Sequence, residues 1–377
     1  MESRSCGPSI LWWIDHLGSG GSQQVLVRLI EHMALRAKCQ QVVVCLRNVV
    51  DPVLTARIAA TGAELHIVGK YPLICGVGLF KLYKVICRQR FDVSVTFLFF
   101  SDIIGTMMAC LGRIPTKVSA QRSSNRHLSC VRRELLRAVL TKTTRIVLNS
   151  EAYHSYSMRY LPKKVPKCVV ANGVDINRFS ASQSKQQIHQ ELNLSSSAFI
   201  LGCIGRLSAE KRLGDVVEAL ALLENPDVHL IFVGDGPEHH TLLHTAARLG
   251  LSARVHFLGS RGDIPEILTS ISVYIQASSF EGMPNGLLEA MAVGCPVAVS
   301  EIEENMLLVD NGNLGWTFEV GDARGLARNL DKLLGDQNSA RLKAVGAKEK
   351  IVRYYREEIM LTAWENLLIQ AKEEISN

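Results

Sequence analysis

Apolar, strand-like segments alternate with helical stripes in two successive series, and this alternation restricts the fold more than any other feature of the sequence. The first series runs "SILWWID" (9–15), "QVVVCL" (41–46), "ELHIV" (64–68), "DVSVTF" (92–97), "TKVSA" (116–120), "RIVLN" (145–149) and "KCVVANGVD" (167–175). The second runs "FILGCIG" (199–205), "VHLIFVG" (228–234), "RVHFLG" (254–259), "SVYIQA" (272–277) and "PVAVS" (296–300). Between strands, Val25, Leu29, Ile30 and Met33 recur at the spacing of one helix face, as do Leu213, Val216, Val217, Leu220 and Leu223. Segments apolar on both faces belong to parallel sheets covered by helices on both sides. A chain of 377 residues also exceeds one ordinary core. The expected architecture is α/β, with two doubly wound domains. The first spans residues 1–178 and is joined by a C-terminal helix over 357–377; the second spans 179–356. The polar stretch Ser180 to Gln190 reads as a linker. Such sheets bind ligands at strand carboxyl ends, so the expected site is a cleft between the domains.

Charge divides the chain unevenly. Residues 1–180 hold 25 Lys and Arg against 10 Asp and Glu, a charge of +15, and the remainder carries −9. A basic first half suits an anionic partner. No basic motif interleaved with aromatics points to nucleic acid. Ten cysteines without a C-x-x-C pair or a zinc-like Cys/His cluster read as the reduced thiols of a cytoplasmic protein. The apolar run Ile10 to Ile14 is too short for a signal-peptide core. Val93 to Leu111 is nearly all apolar, but Asp102 and Gly105 inside it favour a buried strand running into a buried helix over a membrane span.

Candidate chemistry gathers at predicted strand ends. Gly18, Gly20 and Gly21 follow the first strand and open a helix, which allows close approach to a ligand. A dinucleotide fingerprint would need a third glycine at position 23, where Gln23 stands. Gly205 and Arg206 end the first strand of the second series, and Lys211 follows five residues later. A guanidinium fork and an ammonium there suit a diphosphate. No D-x-D pair is present to hold Mg²⁺, and no metal site is expected. In "SSFEGMPNGLLEAMAVGCPVAVS" (278–300), Glu281 lies in a strand-end loop and Glu289 one turn into the following helix. Both carboxylates can accept hydrogen bonds from sugar or ribose hydroxyls, and the N–H groups near Asn285, Gly286, Leu287 and Leu288 offer a phosphate seat.

In combination these residues resemble the retaining glycosyltransferases of family 4, which have the GT-B fold of two facing Rossmann-like domains with a cleft between them. The resemblance rests on E-x7-E at Glu281 and Glu289, on Gly205-Arg206-Leu207 with Lys211, on "ANGVDINRF" (171–179), "FVGDGPE" (232–238) and "VHFLG" (255–259), and on the glycine loop at 18–21. It implies that Arg206 and Lys211 neutralise the diphosphate of a UDP- or GDP-linked sugar, with no other cofactor. It further implies that Glu281 binds sugar hydroxyls beside Gly282, Met283, Pro284 and Asn285. Glu289 would hold the ribose, and backbone near Leu258 and Gly259 would face the base.

Relatives often carry a His just after the fourth strand; here Phe100 stands there and Asp102 follows two places on. Asp102 either holds a hydroxyl or caps the next helix. Arg122 and Asn125, after the next strand, face either the acceptor or the donor phosphates. The basic clusters Arg122, Arg126, Arg132, Arg133, Arg137 and Arg159, Lys163, Lys164, Lys167 are expected to dock the enzyme on the anionic cytoplasmic face of a membrane. There it would elongate a lipid-linked glycan for cell-surface polysaccharide. The helix 130–140, with an apolar stripe at Val131, Leu135 and Val139, either lies on that membrane or is buried. A soluble acceptor, a nucleotide-sugar epimerase, an NAD-dependent dehydrogenase and a non-enzymatic binding surface are the competing readings.

Overall fold

A computed structural model of the chain describes residues 7–18, 20–37, 39–69, 76–122, 128–180 and 187–376. The chain divides into two compact units, Met1–Asn172 with Glu358–Asn377, and Gly173–Glu357. It enters and leaves the second unit at one place. Val174 bridges Arg356 there, donating its N–H to Tyr355 O and accepting from Glu357 N.

The first unit is a seven-stranded sheet of order β3-β2-β1-β4-β5-β6-β7. Its strands are β1 (Ile10–Ile14), β2 (Gln41–Cys45), β3 (Glu64–Ile67), β4 (Val93–Phe97), β5 (Thr116–Gln121), β6 (Arg145–Leu148) and β7 (Lys167–Val169). Every pairing is parallel, with Trp12 opposite Val43 on one side and Val95 on the other. All five residues of the central β1 are buried, which is why it reads as an unbroken apolar run. The period of two sends Trp12 and Trp13 to opposite faces. Trp12 packs with the helix Gly21–Arg36 and with Met360, Trp364 and Leu368 of the C-terminal helix Glu357–Ser376. Trp13 packs with Leu82, Phe91 and Met108. Both indole N–H groups are satisfied, by Gln41 Oε1 (2.9 Å) and Ser94 Oγ (3.1 Å). The apolar segment at 93–111 divides into β4 and the helix Phe99–Leu111. Among the described residues no helix is long and apolar enough to cross a membrane.

The second unit repeats the same winding. Its order is β10-β9-β8-β11-β12-β13, from β8 (Phe199–Ile204), β9 (Val228–Val233), β10 (Val255–Phe257), β11 (Val273–Gln276), β12 (Val297–Ser300) and β13 (Trp316–Phe318). The order reverses between β8 and β11, and open α/β sheets bind ligands at that reversal.

Two local expectations need correction. Residues 187–190 are not linker: they begin the helix Gln187–Glu191, whose Ile188 is fully buried and whose His189 Nε2 is held by Ala198 O at 3.0 Å. In the helix Cys130–Leu140 the inward face is Leu136, Val139 and Leu140, whereas Val131 and Leu135 are 79% and 49% exposed. The expected stripe therefore does not run along one buried side.

Trp364 ties the chain's last helix into the first unit's core. Trp364→Ala is expected to destabilise the first unit by about 3–5 kcal/mol, read as a shift of its transition in chemical denaturation. A change below about 1 kcal/mol would contradict this packing role.

Candidate functional site

The second unit's site forms where β8 and β11 part. Gly205 directly follows β8 at φ +139° and Gly234 directly follows β9 at φ +128°. A Cβ on Gly234 would overlap Gly205 O, so glycine is required for the two loops to run side by side. Leu207 N–H donates to Asp235 O (3.0 Å) and Glu238 N–H to Leu207 O (3.0 Å), which fixes the loop that carries Arg206. Two of the backbone groups expected to face a base are occupied within the unit. Leu258 N–H donates to Phe232 O (2.9 Å), and Gly259 O accepts from Gly234 N–H (2.7 Å).

Lys211 closes the short 3₁₀ turn Ala209–Lys211, and its Nζ lies 2.6 Å from Glu281 Oε1. The same oxygen accepts from Gln276 Nε2 (2.6 Å) and Ser278 Oγ (2.6 Å). Gln276 Oε1 in turn accepts from the Tyr274 hydroxyl. Burial, with the nearby Cys203, Glu281 and Glu289, holds that hydroxyl's pKa well above its ordinary value, so it remains a donor. The two site loops are also joined through Glu210, whose carbonyl accepts from Ser279 N–H (2.8 Å) and Oγ (3.1 Å). Burial acts to raise the Glu210 carboxyl, but the Ser208 hydroxyl, its own backbone N–H, Lys211 and Arg206 together hold it below its ordinary value. Arg206 is exposed. Arg206 and Lys211 line a small open pocket with Gly205, Gln276 and Ser278.

The helix Asn285–Val293 starts beside this pocket, and no side chain caps it. Gly286 lets it approach closely, since a Cβ there would overlap the Tyr274 hydroxyl. Gly286 and Leu287 present first-turn N–H groups that a helix cannot pair internally. Leu288 differs from expectation: its N–H donates to Pro284 O (3.1 Å). Leu287 and Leu288 send their side chains into the core, Met283 and Pro284 are buried, and Gly282 and Glu289 are half-buried.

In the first unit, Gly18 N–H lies 3.3 Å from His16 Nδ1. Gly20 is the uncapped N-cap of the helix that Gly21 begins. The buried Gln23 amide folds back beneath Gly20 and meets the His16 ring at 3.3 Å, filling the space a dinucleotide turn keeps for its third glycine. Asp15 caps the helix Phe99–Leu111, accepting from Phe100 N–H (3.1 Å), Ser101 N–H (2.6 Å) and Ser101 Oγ (2.8 Å). Asp102 therefore is not the cap. It is 2% exposed, and Thr96 Oγ1 (2.5 Å), Ser119 Oγ (2.7 Å) and Gln121 Nε2 (2.6 Å) surround its carboxylate. That arrangement removes it from contact with an acceptor hydroxyl. Phe100 is exposed, with the Arg47 guanidinium 4.6 Å from its ring centroid. Arg122 is buried and donates to Asn172 Oδ1. Asn125 and Arg126 lie outside the described residues.

Asp15, His16, Tyr274 and Gln276 were missed by sequence reasoning. The available signal was a polar side chain at or just past the end of an apolar strand, where ligand-facing groups gather.

Residues 184–350 match the family model described as glycosyl transferases group 1. The chain is 28% identical over 274 residues to the UDP-Gal:alpha-D-GlcNAc-diphosphoundecaprenol alpha-1,3-galactosyltransferase of Escherichia coli, covering 69% of this chain and 70% of that protein. It is 32% identical over 199 residues to the N-acetyl-alpha-D-glucosaminyl L-malate synthase of Bacillus anthracis, 52% of each. The chain therefore spans about half the length of that second relative. Among solved structures it is similar in fold to Anabaena Alr3699/HepE in complex with UDP and glucose, with a TM-score of 0.85, 20% identity, and coverage of 96% of this chain and 99% of that one. That likeness assigns the GT-B fold.

Asp102 gives the first unit a measurable pH dependence. Burial raises its pKa from 3.8 to about 7 against the three hydrogen bonds that lower it, and the nearby Asp15 charge adds to the rise. Between about pH 4 and 7 the folded state thus keeps a proton that the unfolded state has lost. Its contribution to stability falls as pH rises through that window. Asp102→Asn should flatten this part of the profile of thermal midpoint against pH. Identical slopes in the two proteins between pH 4 and 7 would contradict the shift.

Proposed function

This chain is a glycosyltransferase whose second unit belongs to the group 1 family, and from that premise we propose that it moves a hexose or N-acetylhexosamine from a UDP-linked donor to a hydroxyl of a lipid-linked glycan, with retention of configuration. The observation that carries this reading is the meeting of Arg206, Lys211, Glu281 and an uncapped helix N-terminus at the carboxyl ends of β8 and β11. Arg206 offers a planar fork to phosphate oxygens. An ammonium has three donors, so Lys211 can hold Glu281 and still bind a phosphate oxygen. Among the described residues no group donates to Glu281 Oε2, which leaves it for a sugar hydroxyl. Glu289, one turn deeper, suits the ribose. The departing diphosphate oxygen takes the acceptor's proton. Chemistry then depends on stabilising charge on that group, where each placed donor is worth about a hundred- to thousandfold in rate. The donor and acceptor classes are supported by the activity for which the E. coli relative is named, which pairs UDP-Gal with a diphosphate-linked lipid sugar.

The first unit carries a surface suited to such an acceptor. The helix Val77–Arg88 exposes Val77, Leu79, Phe80 and Tyr83, with Phe80 59% exposed, beside the exposed Lys81, Lys84 and Arg88. Apolar anchors interleaved with cations suit an anionic lipid surface, where each Lys or Arg contributes roughly 1 kcal/mol. Arg132 and Arg137, with the exposed Val131 and Leu135, form a second patch of the same kind. Lys167 does not join them, because its ammonium is held by Pro162 O (2.7 Å) and Val165 O (3.0 Å). The site of action on this reading is the cytoplasmic face of a membrane.

Arg206→Ala and Lys211→Ala should each reduce transfer at least about tenfold in a folded protein; near-normal turnover in the double variant would remove the donor-site assignment. By calorimetry, Glu289→Ala should weaken UDP binding more than Glu281→Ala does, and the reverse order would exchange the two roles. Co-sedimentation with vesicles should rise with anionic lipid, fall with salt and weaken in Phe80→Ser/Lys81→Ser/Lys84→Ser. Equal binding to neutral and anionic vesicles at low salt would favour a soluble acceptor.

A further inference from the structure

Arg122 is the residue whose surroundings least match its charge. It directly follows β5 and is 9% exposed. Among the described residues its guanidinium makes one hydrogen bond, donated to a neutral group, the Asn172 amide oxygen beyond the end of β7. Among the described residues its buried Nε has no partner and no carboxylate pairs with it. Arg254, Lys167 and Lys343, all less deeply buried, rest on backbone carbonyl oxygens, and other partly buried cations are paired with carboxylates. Arg57 pairs with Glu31, Arg261 with Glu191 and Asp263, and Lys211 with Glu281. Burial pushes the Arg122 guanidinium down to about 10 with no anion opposing it, so it stays charged at neutral pH.

A second orphan lies beside it. Asn149, just past β6, donates its Nδ2 to Arg122 O (3.2 Å), and its buried Oδ1 has no partner. Since β5, β6 and β7 are neighbours, the Arg122 side chain crosses the carboxyl end of β6 to reach Asn172. A buried charge without a counter-ion is unfavourable, as is a buried polar atom without a partner. Two such atoms at the ligand-binding edge of a parallel sheet mark a place that a ligand completes.

We propose that Arg122, with Asn149 beside it, forms an anion seat at the carboxyl ends of β5 and β6 that takes the phosphate or diphosphate group of the acceptor. The seat is built within the first unit and is independent of Arg206 and Lys211, which belong to the second. A guanidinium fork matches two phosphate oxygens, and its partnerless Nε–H is one of the donors that such a group would occupy. The assignment to the acceptor rests on the reading of the first unit as the acceptor-binding unit. The existence of the seat does not.

The test uses the full chain and inorganic pyrophosphate as probe. In the Arg206→Ala/Lys211→Ala background, which silences the donor cations, calorimetry should still detect pyrophosphate binding. Adding Arg122→Gln should weaken it at least tenfold, and adding Arg122→Lys should weaken it less. Titration of UDP into Arg122→Gln, with the donor cations intact, should give a dissociation constant within twofold of the wild type. The ligand-free thermal midpoint of Arg122→Gln should equal or exceed the wild-type value, because an uncompensated buried charge has been removed. The seat is overturned if pyrophosphate affinity is the same with and without Arg122 in the silenced background. It is also overturned if Arg122→Gln lowers the midpoint by several degrees, as loss of a structural contact would. If Arg122→Gln weakens UDP as much as pyrophosphate, the anion is the donor's and the acceptor assignment falls. Failure of the wild type to bind UDP at all would instead count against the donor reading and would leave the pyrophosphate comparison to decide the seat.

Discussion

Glu281 Oε1 accepts three hydrogen bonds, from Lys211, Gln276 and Ser278, and those donors come from the ends of β8 and β11, on either side of the reversal in strand order. The second unit's candidate site depends on this convergence. It fixes the 3₁₀ turn that carries Lys211 against the loop that carries Glu281, and Glu210 joins the same loops through its carbonyl. It also balances charge. Without an anion nearby, an ammonium partly withdrawn from water would be unfavourable, and Glu281 supplies that anion at 2.6 Å. On the proposed donor reading, a diphosphate arriving beside Lys211 would meet a cation already oriented, with little side-chain freedom left to lose on binding. The Tyr274 hydroxyl behind Gln276 extends the support one layer deeper.

The first unit solves a different electrostatic problem. Its strand ends bury two carboxylates, Asp15 and Asp102, and one guanidinium, Arg122, without pairing the opposite charges. Burial raises the Asp15 carboxyl, and the N-terminus of the helix Phe99–Leu111, whose backbone N–H groups and dipole favour negative charge, offsets part of that rise. Leu98, at φ +75° in the connection from β4, holds a conformation uncommon for its type just where that helix turns onto Asp15. Asp102 has only neutral donors and stays protonated to higher pH than an ordinary Asp. Arg122 is left without either kind of compensation. Among the described residues the edge is therefore buried and polar, and it is incompletely satisfied at Arg122 and Asn149.

Much of this was legible in the residues. The strands that carry the site are largely buried, so β1 and β8 stand out as short unbroken apolar runs, and β4, β9 and β11 as runs interrupted only by Ser94 and Thr96, His229 and Gln276. The E-x7-E spacing separates a loop acid from a helix acid, and Glu281 and Glu289 occupy those positions. Three kinds of feature were hidden. The three-residue strand β13, with Trp316 and Thr317 only half-buried, has no pattern long enough to read. The Ser180 to Gln190 stretch is polar on average, and one buried Ile188 does not change its composition. Long-range pairings, such as Lys211 with Glu281 seventy positions away, leave no trace in local spacing. Asp102 illustrates the last point most clearly. Its place in an apolar segment is obvious, yet whether it meets a ligand depends on Ser119 and Gln121, which another strand supplies.

The measurement that addresses the central claim most directly is release of free UDP from a UDP-hexose, followed with and without a diphosphate-linked lipid sugar as acceptor. The account predicts release at least tenfold faster when both substrates are present, with one α-linked sugar added to the acceptor per UDP released. Conversion of the donor sugar without release of UDP, or release that is indifferent to the acceptor, would contradict it.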